Sequence, residues 1–255
     1  MDTTKYQDSP HKIVILNPKG GCGKTTLATN LASFFAGIGP PPTLVDCDPL
    51  GYSTRWLDNR SAERPKIYGI AAYEHCIKPA GHSELRAWPG SKQMIVDLPA
   101  GLSHDQLYSQ TYDANSILIP VLPSDIDIYS ATRFIADLLL VAQVDRRARS
   151  LGIIANRTRE NTKSFRMLMR FLTSLEIPLI ARLRDSQNYV QAAAEGIGIY
   201  EMPMYKAKKD IEQLDPLIAW LEKWRMRKLD AAASAGYEHT PGKEILTPAL
   251  TKTHH

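Results

Sequence analysis

The apolar segment 12–16 passes without a spacer into Lys19-Gly20-Gly21-Cys22-Gly23-Lys24-Thr25-Thr26, and a helix-forming run starts at Lys24. A strand, a tight glycine turn and a helix, in that order, form the setting that a phosphate-binding loop requires. Gly20, Gly21 and Gly23 can take backbone angles closed to other residues. Successive amide hydrogens, including those of Cys22 and Thr26, can then point inward as an anion cradle at the positive end of the helix. Lys24 would reach the β and γ phosphates as a point charge, and the Thr25 hydroxyl would become a magnesium ligand. The general pattern G-x-x-x-x-G-K-[ST] is not met, because its first glycine falls on Pro18. What stands here is K-G-G-x-G-K-T.

Short apolar runs alternate with longer amphipathic stretches along the rest of the chain. That alternation predicts an α/β fold, a doubly wound, mostly parallel sheet with helices on both faces. Strands are expected at 12–16, 43–46, 93–97, 116–121 and 151–155, with a weaker one near Leu179. They read as uniformly apolar, as strands buried on both faces do. Helices are expected at 24–36, stopped by Gly37, Gly39 and Pro40-Pro41-Pro42, and at 125–142, capped by Ser124. Further helices are expected at 161–175, 187–195 and 210–224, the last with Ile211, Leu214, Ile218 and Leu221 on one face.

With 255 residues, 44% of them hydrophobic, the chain can bury a full core and needs neither disulfides nor a metal to stay folded. Residues 1–10 read as a short lead, 11–229 as one phosphate-loop domain and 230–255 as a flexible tail of small and polar residues. Cys22, Cys47 and Cys76 form no CxxC pair, so neither zinc nor an iron–sulfur cluster is expected, and a reducing cytoplasm fits. No apolar run approaches the ~20 residues needed to cross a bilayer, and the lead lacks a signal-peptide core.

Two further strand ends carry carboxylates. The segment Asp46-Cys47-Asp48-Pro49-Leu50-Gly51 follows the second strand, and Asp97-Leu98-Pro99-Ala100-Gly101 closes the third. Acidic groups at the carboxyl ends of strands beside a phosphate loop lie where open α/β sheets bind ligands. Together with Lys19, these segments resemble the deviant Walker A ATPases, the family of ParA, MinD, the nitrogenase iron protein and the arsenical pump ATPase. The likeness spans roughly residues 12–224.

The resemblance implies Mg-ATP bound between two facing subunits, with Lys19 crossing to the partner's phosphates. It also implies that Asp48 orients or deprotonates the attacking water, that Asp46 supports the magnesium shell, and that Asp97 holds magnesium through water in a Walker B segment. Relatives usually have glutamine where Leu50 stands, which removes a side-chain contact but leaves the carboxylates. By the same resemblance Asn156 faces the purine, and Met202-Pro203 covers the base from the other side.

The run Ile119-Pro120-Val121-Leu122-Pro123-Ser124, followed by Asp127, is similar to that of the small ParA-type ATPases that partition or position a cargo. Such proteins form an ATP dimer, bind DNA without sequence preference, sit on the nucleoid in the cytoplasm, and release when a ParB-like or other adaptor stimulates hydrolysis. Charge is consistent with an anionic surface: between Arg146 and Arg184 there are ten basic residues against two acidic ones, although solvated helix faces also produce such runs. Arg182 and Arg184 match the place of a DNA-contacting arginine, and Lys206, Lys208 and Lys209 are plausible additions.

The rival is a MinD-like membrane-associated ATPase. Its anchor would be Trp220, Trp224 and Met226 among Lys223, Arg225, Arg227 and Lys228, but the apolar face there reads more simply as a core helix. An electron carrier of the nitrogenase type needs cysteines beyond the Walker B segment, and this chain has none there.

Overall fold

A computed structural model describes residues 9–77, 85–140, 150–159, 162–174 and 177–237. Its strands are β1 (His11–Ile15), β2 (Thr43–Asp46), β3 (Tyr68–Ala71), β4 (Gln93–Asp97), β5 (Ser116–Val121), β6 (Ser150–Thr158) and β7 (Leu179–Arg184). They form one seven-stranded sheet in the order β3-β2-β4-β1-β5-β6-β7, and every pairing is parallel. The helices are α1 (Lys24–Ile38), α2 (Tyr52–Asp58), α3 (Tyr73–Ile77), α4 (His104–Thr111), α5 (Asp125–Leu140), α6 (Lys163–Ser174), α7 (Gln187–Ala194) and α8 (Met204–Tyr237). The doubly wound α/β architecture expected from the sequence is the one observed.

Parallel strands require crossovers, and here the crossovers leave helices on both faces. Alternate residues of β1 serve the two layers. Ile13 and Ile15 pack with Leu27, Leu31 and Phe35 of α1 and with Leu214, Leu217 and Leu221 of α8. Val14 and Leu16 join Ile128, Ile135 and Leu138 of α5 and Leu168 and Leu172 of α6 in the opposite layer. With β1 clamped on both sides, the loop that follows it leaves from a rigid base. Register then places Ile15 and Asp46 level with Asp97, so the loops after β1, β2 and β4 emerge at one end of the sheet.

Several elements go beyond the expected set. The edge strand β3 alternates half-buried and exposed residues, a pattern that a search for uniformly apolar runs passes over. The short helices α2, α3 and α4 are likewise additional. Ser124 does cap α5, accepting from the Asp127 amide at 3.2 Å. The last helix starts earlier than expected, at Met204, and continues through Tyr237, carried by the good helix formers Ala231, Ala232 and Ala233. Residues 1–8 of the expected lead and 238–255 of the expected tail lie outside the described residues, as do the expected helix ends at 141–142, 161 and 175.

No disulfide is expected from the sequence, yet Cys47 at the end of β2 and Cys76 on α3 are paired, with Cα atoms 5.7 Å apart. The β2–β3–α3 crossover brings the two residues together although they are 29 positions apart. Cys22 is the free, buried cysteine. Among the described residues, no helix is long and apolar enough to cross a membrane.

Candidate nucleotide site

The turn from β1 into α1 is built on glycine geometry. Gly21 and Gly23 have φ of 75° and 98°, left-handed values that side chains resist. At Gly23 a side chain is also excluded by space, since a Cβ would lie 2.2 Å from Asn156 Nδ2. Asn156 donates from that nitrogen to the Cys22 carbonyl at 2.7 Å, and its Oδ1 accepts from the Arg157 amide at 2.9 Å. Asn17 secures the other side. Its Nδ2 donates to the Pro120 carbonyl at 2.7 Å and its Oδ1 accepts from the Lys19 amide at 2.8 Å. The loop is thus tied to β5 and β6, the two strands that follow β1 in the sheet order.

Lys24 is buried, and its ammonium donates to the carbonyls of Asn17 at 3.3 Å and Lys19 at 3.1 Å. The ammonium is therefore folded over its own loop. Thr26 presents its carbonyl to Asn30 Nδ2 at 2.7 Å. The Cys22 thiol donates to the Lys19 carbonyl at 3.3 Å, and burial pushes its pKa up, so it acts as a packed, un-ionised group.

The carboxylates divide their work. Asp97 is 1% exposed. Its Oδ2 accepts from the hydroxyls of Thr25 and Ser53, each at 2.7 Å, while Oδ1 is buried with no hydrogen-bond partner. Burial pushes its pKa up, with the Asp46 charge adding to the rise and the two hydroxyls and Lys24 opposing it, to about 6. An orphaned carboxylate oxygen beside a threonine hydroxyl is a donor set that suits a hard, oxygen-seeking cation such as magnesium.

Asp46 is buried but otherwise engaged. Its Oδ1 accepts from the Asp48 amide at 3.1 Å, and its Oδ2 accepts from the Thr54 amide at 2.8 Å and the Thr54 hydroxyl at 2.9 Å. It therefore anchors the start of α2 and acts on Asp97 through its charge rather than by contact. Asp48 is half-buried, with Oδ1 accepting from the Leu50 amide at 3.0 Å. Gly51, at φ 64°, closes that turn.

The segment expected to cover the base is nailed to the phosphate helix. Asn30 Oδ1 accepts from the Ile199 amide at 2.8 Å. Glu201 accepts from the Ser33 hydroxyl at 2.5 Å, from the Gly198 amide at 2.9 Å, and from the two Arg60 terminal nitrogens at 2.7 and 2.8 Å. Burial raises the Glu201 pKa, but these donors and the Arg60 charge outweigh it and hold the carboxyl below its ordinary value. Met202 is buried and Pro203 exposed just beyond. A narrow space at the start of α1 is lined by Gly23, Thr26, Asn30, Asn156 and Tyr189, and the Tyr189 hydroxyl is buried there without a partner. Asn17, Ser53, Arg60, Glu201 and Tyr189 carry no motif that would single them out in the sequence; they meet the loop only through the fold.

The expected DNA-contacting residues separate into two kinds. Arg182 is exposed on the edge strand β7, and Lys206, Lys208 and Lys209 are exposed on the first turns of α8. Arg184 instead donates from Nε to Asp210 Oδ1 at 2.6 Å and from Nη2 to Oδ2 at 2.9 Å, tying β7 to α8. Asp210 is 0% exposed and also accepts from Ser186 and Asn188, so Arg184 serves as its structural counter-ion.

A strand, a glycine cradle, a helix and two strand-end carboxylates make this a nucleotide-binding protein of the phosphate-loop class. Residues 13–199 match the CobQ/CobB/MinD/ParA nucleotide binding domain, and the chain belongs to that family. The "Maintenance of carboxysome distribution protein A" of Halothiobacillus neapolitanus is 28% identical over 191 residues, covering 74% of this chain and 87% of that protein. The "Chromosome-partitioning ATPase Soj" of Thermus thermophilus is 51% identical over 119 residues, covering 44% of this chain and 46% of Soj. Among solved structures, apo McdA from Cyanothece superposes with a TM-score of 0.62 at 18% identity over 82% of this chain and 99% of that one, which shows the shared fold.

Proposed function

We propose that the protein is a ParA-type ATPase. In this reading it dimerises around two ATP molecules, binds DNA without sequence preference in that state, and positions a cargo through hydrolysis stimulated by an adaptor. The observation that carries the reading is the cradle itself: Lys19 and Lys24 on one glycine loop, with Thr25 hydrogen-bonded to Asp97 at 2.7 Å beside an orphaned carboxylate oxygen. Relatives named for carboxysome distribution and chromosome partitioning support the positioning role.

Thr25 and Asp97 would hold magnesium, which would supply charge neutralisation across the β and γ phosphates. The loop amides and Lys24 bind and orient the triphosphate. Asp48 positions a water in line with the γ phosphorus and takes its proton as the new P–O bond forms; the bond to the β-phosphate oxygen breaks and ADP leaves. Lys19 of the facing subunit counters the charge that builds on the transferring group, the task of an arginine finger elsewhere. Nonspecific binding of one monomer to DNA is weak, with Kd roughly 10⁻⁴ to 10⁻⁶ M. Pairing doubles the phosphate contacts through Arg182, Lys206, Lys208 and Lys209, so ATP would switch retention on the nucleoid.

The test measures sedimentation of the protein with magnesium and a slowly hydrolysed ATP analogue, with and without random duplex DNA. A dimer that binds DNA in a salt-sensitive way, with neither property in Lys24→Ala, is the expected result. A monomer under saturating analogue overturns the dimer. A dimer that ignores DNA but floats with anionic vesicles replaces the nucleoid reading with a membrane one.

A further inference from the structure

The signature lysine is occupied within its own chain. Lys19 Nζ lies 2.8 Å from Asp127 Oδ1, where the lysine side chain is 39% exposed and the aspartate 8%. Both ends of this pair have firm mounts. The Lys19 amide is fixed to Asn17, which is fixed to Pro120 at the end of β5. Asp127 sits in the first turn of α5, where its second carboxylate oxygen accepts from the Ser124 hydroxyl and its amide donates to Ser124 Oγ at 3.2 Å. On the same turn Ile126 and Tyr129 are 72% and 74% exposed while Ile128 packs into the core, so the lysine is held on a turn that is anchored on one side and faces outward on the other.

We propose that Asp127 is a positioning residue that holds Lys19 back in the resting subunit, so that Lys19 reaches a partner subunit only when that partner offers a γ-phosphate to replace the carboxylate. The inference rests on the ATP-dimer reading above and adds its control point. Removing a lysine from a nearly buried carboxylate strands that charge, with only the Ser124 hydroxyl left to it, and stranded buried charge is costly. The exchange is favourable only toward a group more strongly anionic than one carboxylate, and a triphosphate terminus is such a group. Asp127 thereby sets a threshold against pairing in the absence of ATP, while Lys19 retains its reach.

Two measurements on the full-length protein test this. The first is the midpoint concentration of dimerisation with magnesium and the ATP analogue, read by sedimentation for wild type, Asp127→Asn, Lys19→Ala and the double variant. Asp127→Asn is expected to dimerise at about tenfold lower concentration, an effect of roughly 1.4 kcal/mol, and to show dimer with ADP. In the Lys19→Ala background the same substitution should change nothing, which a mere helix-capping role could not produce. The second is the acylation rate of the Lys19 amine in nucleotide-free protein, read by mass spectrometry, which should rise several-fold in Asp127→Asn.

Should Asp127→Asn not fold, Asp127→Ser keeps a capping oxygen and serves in its place. An unchanged or higher midpoint, a shift that persists without Lys19, or an unchanged acylation rate overturns the inference. Wild type that stays monomeric sinks the dimer reading and this inference with it, whereas a wild-type dimer with an unaltered Asp127→Asn midpoint sinks this inference alone.

Discussion

Replacing Asp97 with asparagine should make the nucleotide-free protein more stable while destroying its response to magnesium and nucleotide. Asp97 is 1% exposed, and its pKa rises from 3.8 to about 6 through burial, helped by the charge of Asp46. A carboxyl whose folded pKa lies above its unfolded value contributes its stability in full below the unfolded pKa. That contribution is lost as pH rises through about 6, because the folded state must then hold a charge it solvates poorly. At about 1.36 kcal/mol per pH unit of separation, the penalty at neutral pH is roughly 3 kcal/mol.

Asparagine keeps the shape and removes the charge, and the Thr25 and Ser53 hydroxyls can turn to suit an amide. Allowing for imperfect hydrogen bonding, about 1–3 kcal/mol should be recovered, or roughly 2–10 °C in Tm for a domain of this size. The assay is urea unfolding at pH 7.5 and pH 5 without nucleotide, then with magnesium and ATP analogue. The gap between variant and wild type should shrink at pH 5, and the order should reverse with ligand, since only wild type offers the carboxylate to the cation. An Asp97→Asn protein less stable than wild type at pH 7.5 without ligand would refute the reasoning, because Asp97 would then not be carrying an uncompensated charge.

Asp48→Ala should lower ATP turnover by about 10²-fold or more while leaving the proposed ATP-dependent dimer intact; normal turnover would remove Asp48 from the mechanism. Arg182→Ala should flatten the salt dependence of DNA binding by about one counterion per subunit without altering stability. Arg184→Ala, by stranding Asp210, should cost on the order of 3 kcal/mol of unfolding free energy, and equal salt slopes for the two variants would contradict the division between them. Glu201→Gln should lose about 2–4 kcal/mol at pH 7. Because the Glu201 pKa is held below 4.5 by Arg60, Ser33 and Gly198, the wild-type advantage is present above the unfolded pKa and lost as pH falls through the folded one. Denaturation at pH 7 and below pH 4 reads it, and a gap that does not narrow in acid speaks against the pairing.

What the sequence revealed and what it hid follow from how each contact is made. The phosphate loop was legible because its chemistry is contiguous: glycines that need left-handed angles, a lysine and a hydroxyl stand within eight letters, flanked by a strand and a helix of opposite periodicity. Asp97 was legible for the same reason, at the end of an apolar run. The parallel sheet followed from alternation alone, and its miss, β3, is an edge strand whose exposed residues break the apolar signature.

Hidden were the contacts that join distant segments: Asn17 to Pro120, Ser53 to Asp97, Arg60 to Glu201, Cys47 to Cys76 and Lys19 to Asp127. The basic run also misled in part, because sequence counts charges and cannot see that Arg184 is spent on Asp210.

The division has a physical sense. Gripping a triphosphate requires backbone amides in fixed array, which neighbouring residues can supply. Deciding when to commit it requires groups that exchange partners, and those must come from different elements so that one can be released without unravelling the other. Lys19 illustrates both: its amide is locked into the loop through Asn17, while its ammonium is lodged on α5, from which it would depart in the proposed dimer. A lysine fixed at both ends could not cross to a second subunit, and one fixed at neither would leave its anion-seeking charge free before ATP arrived.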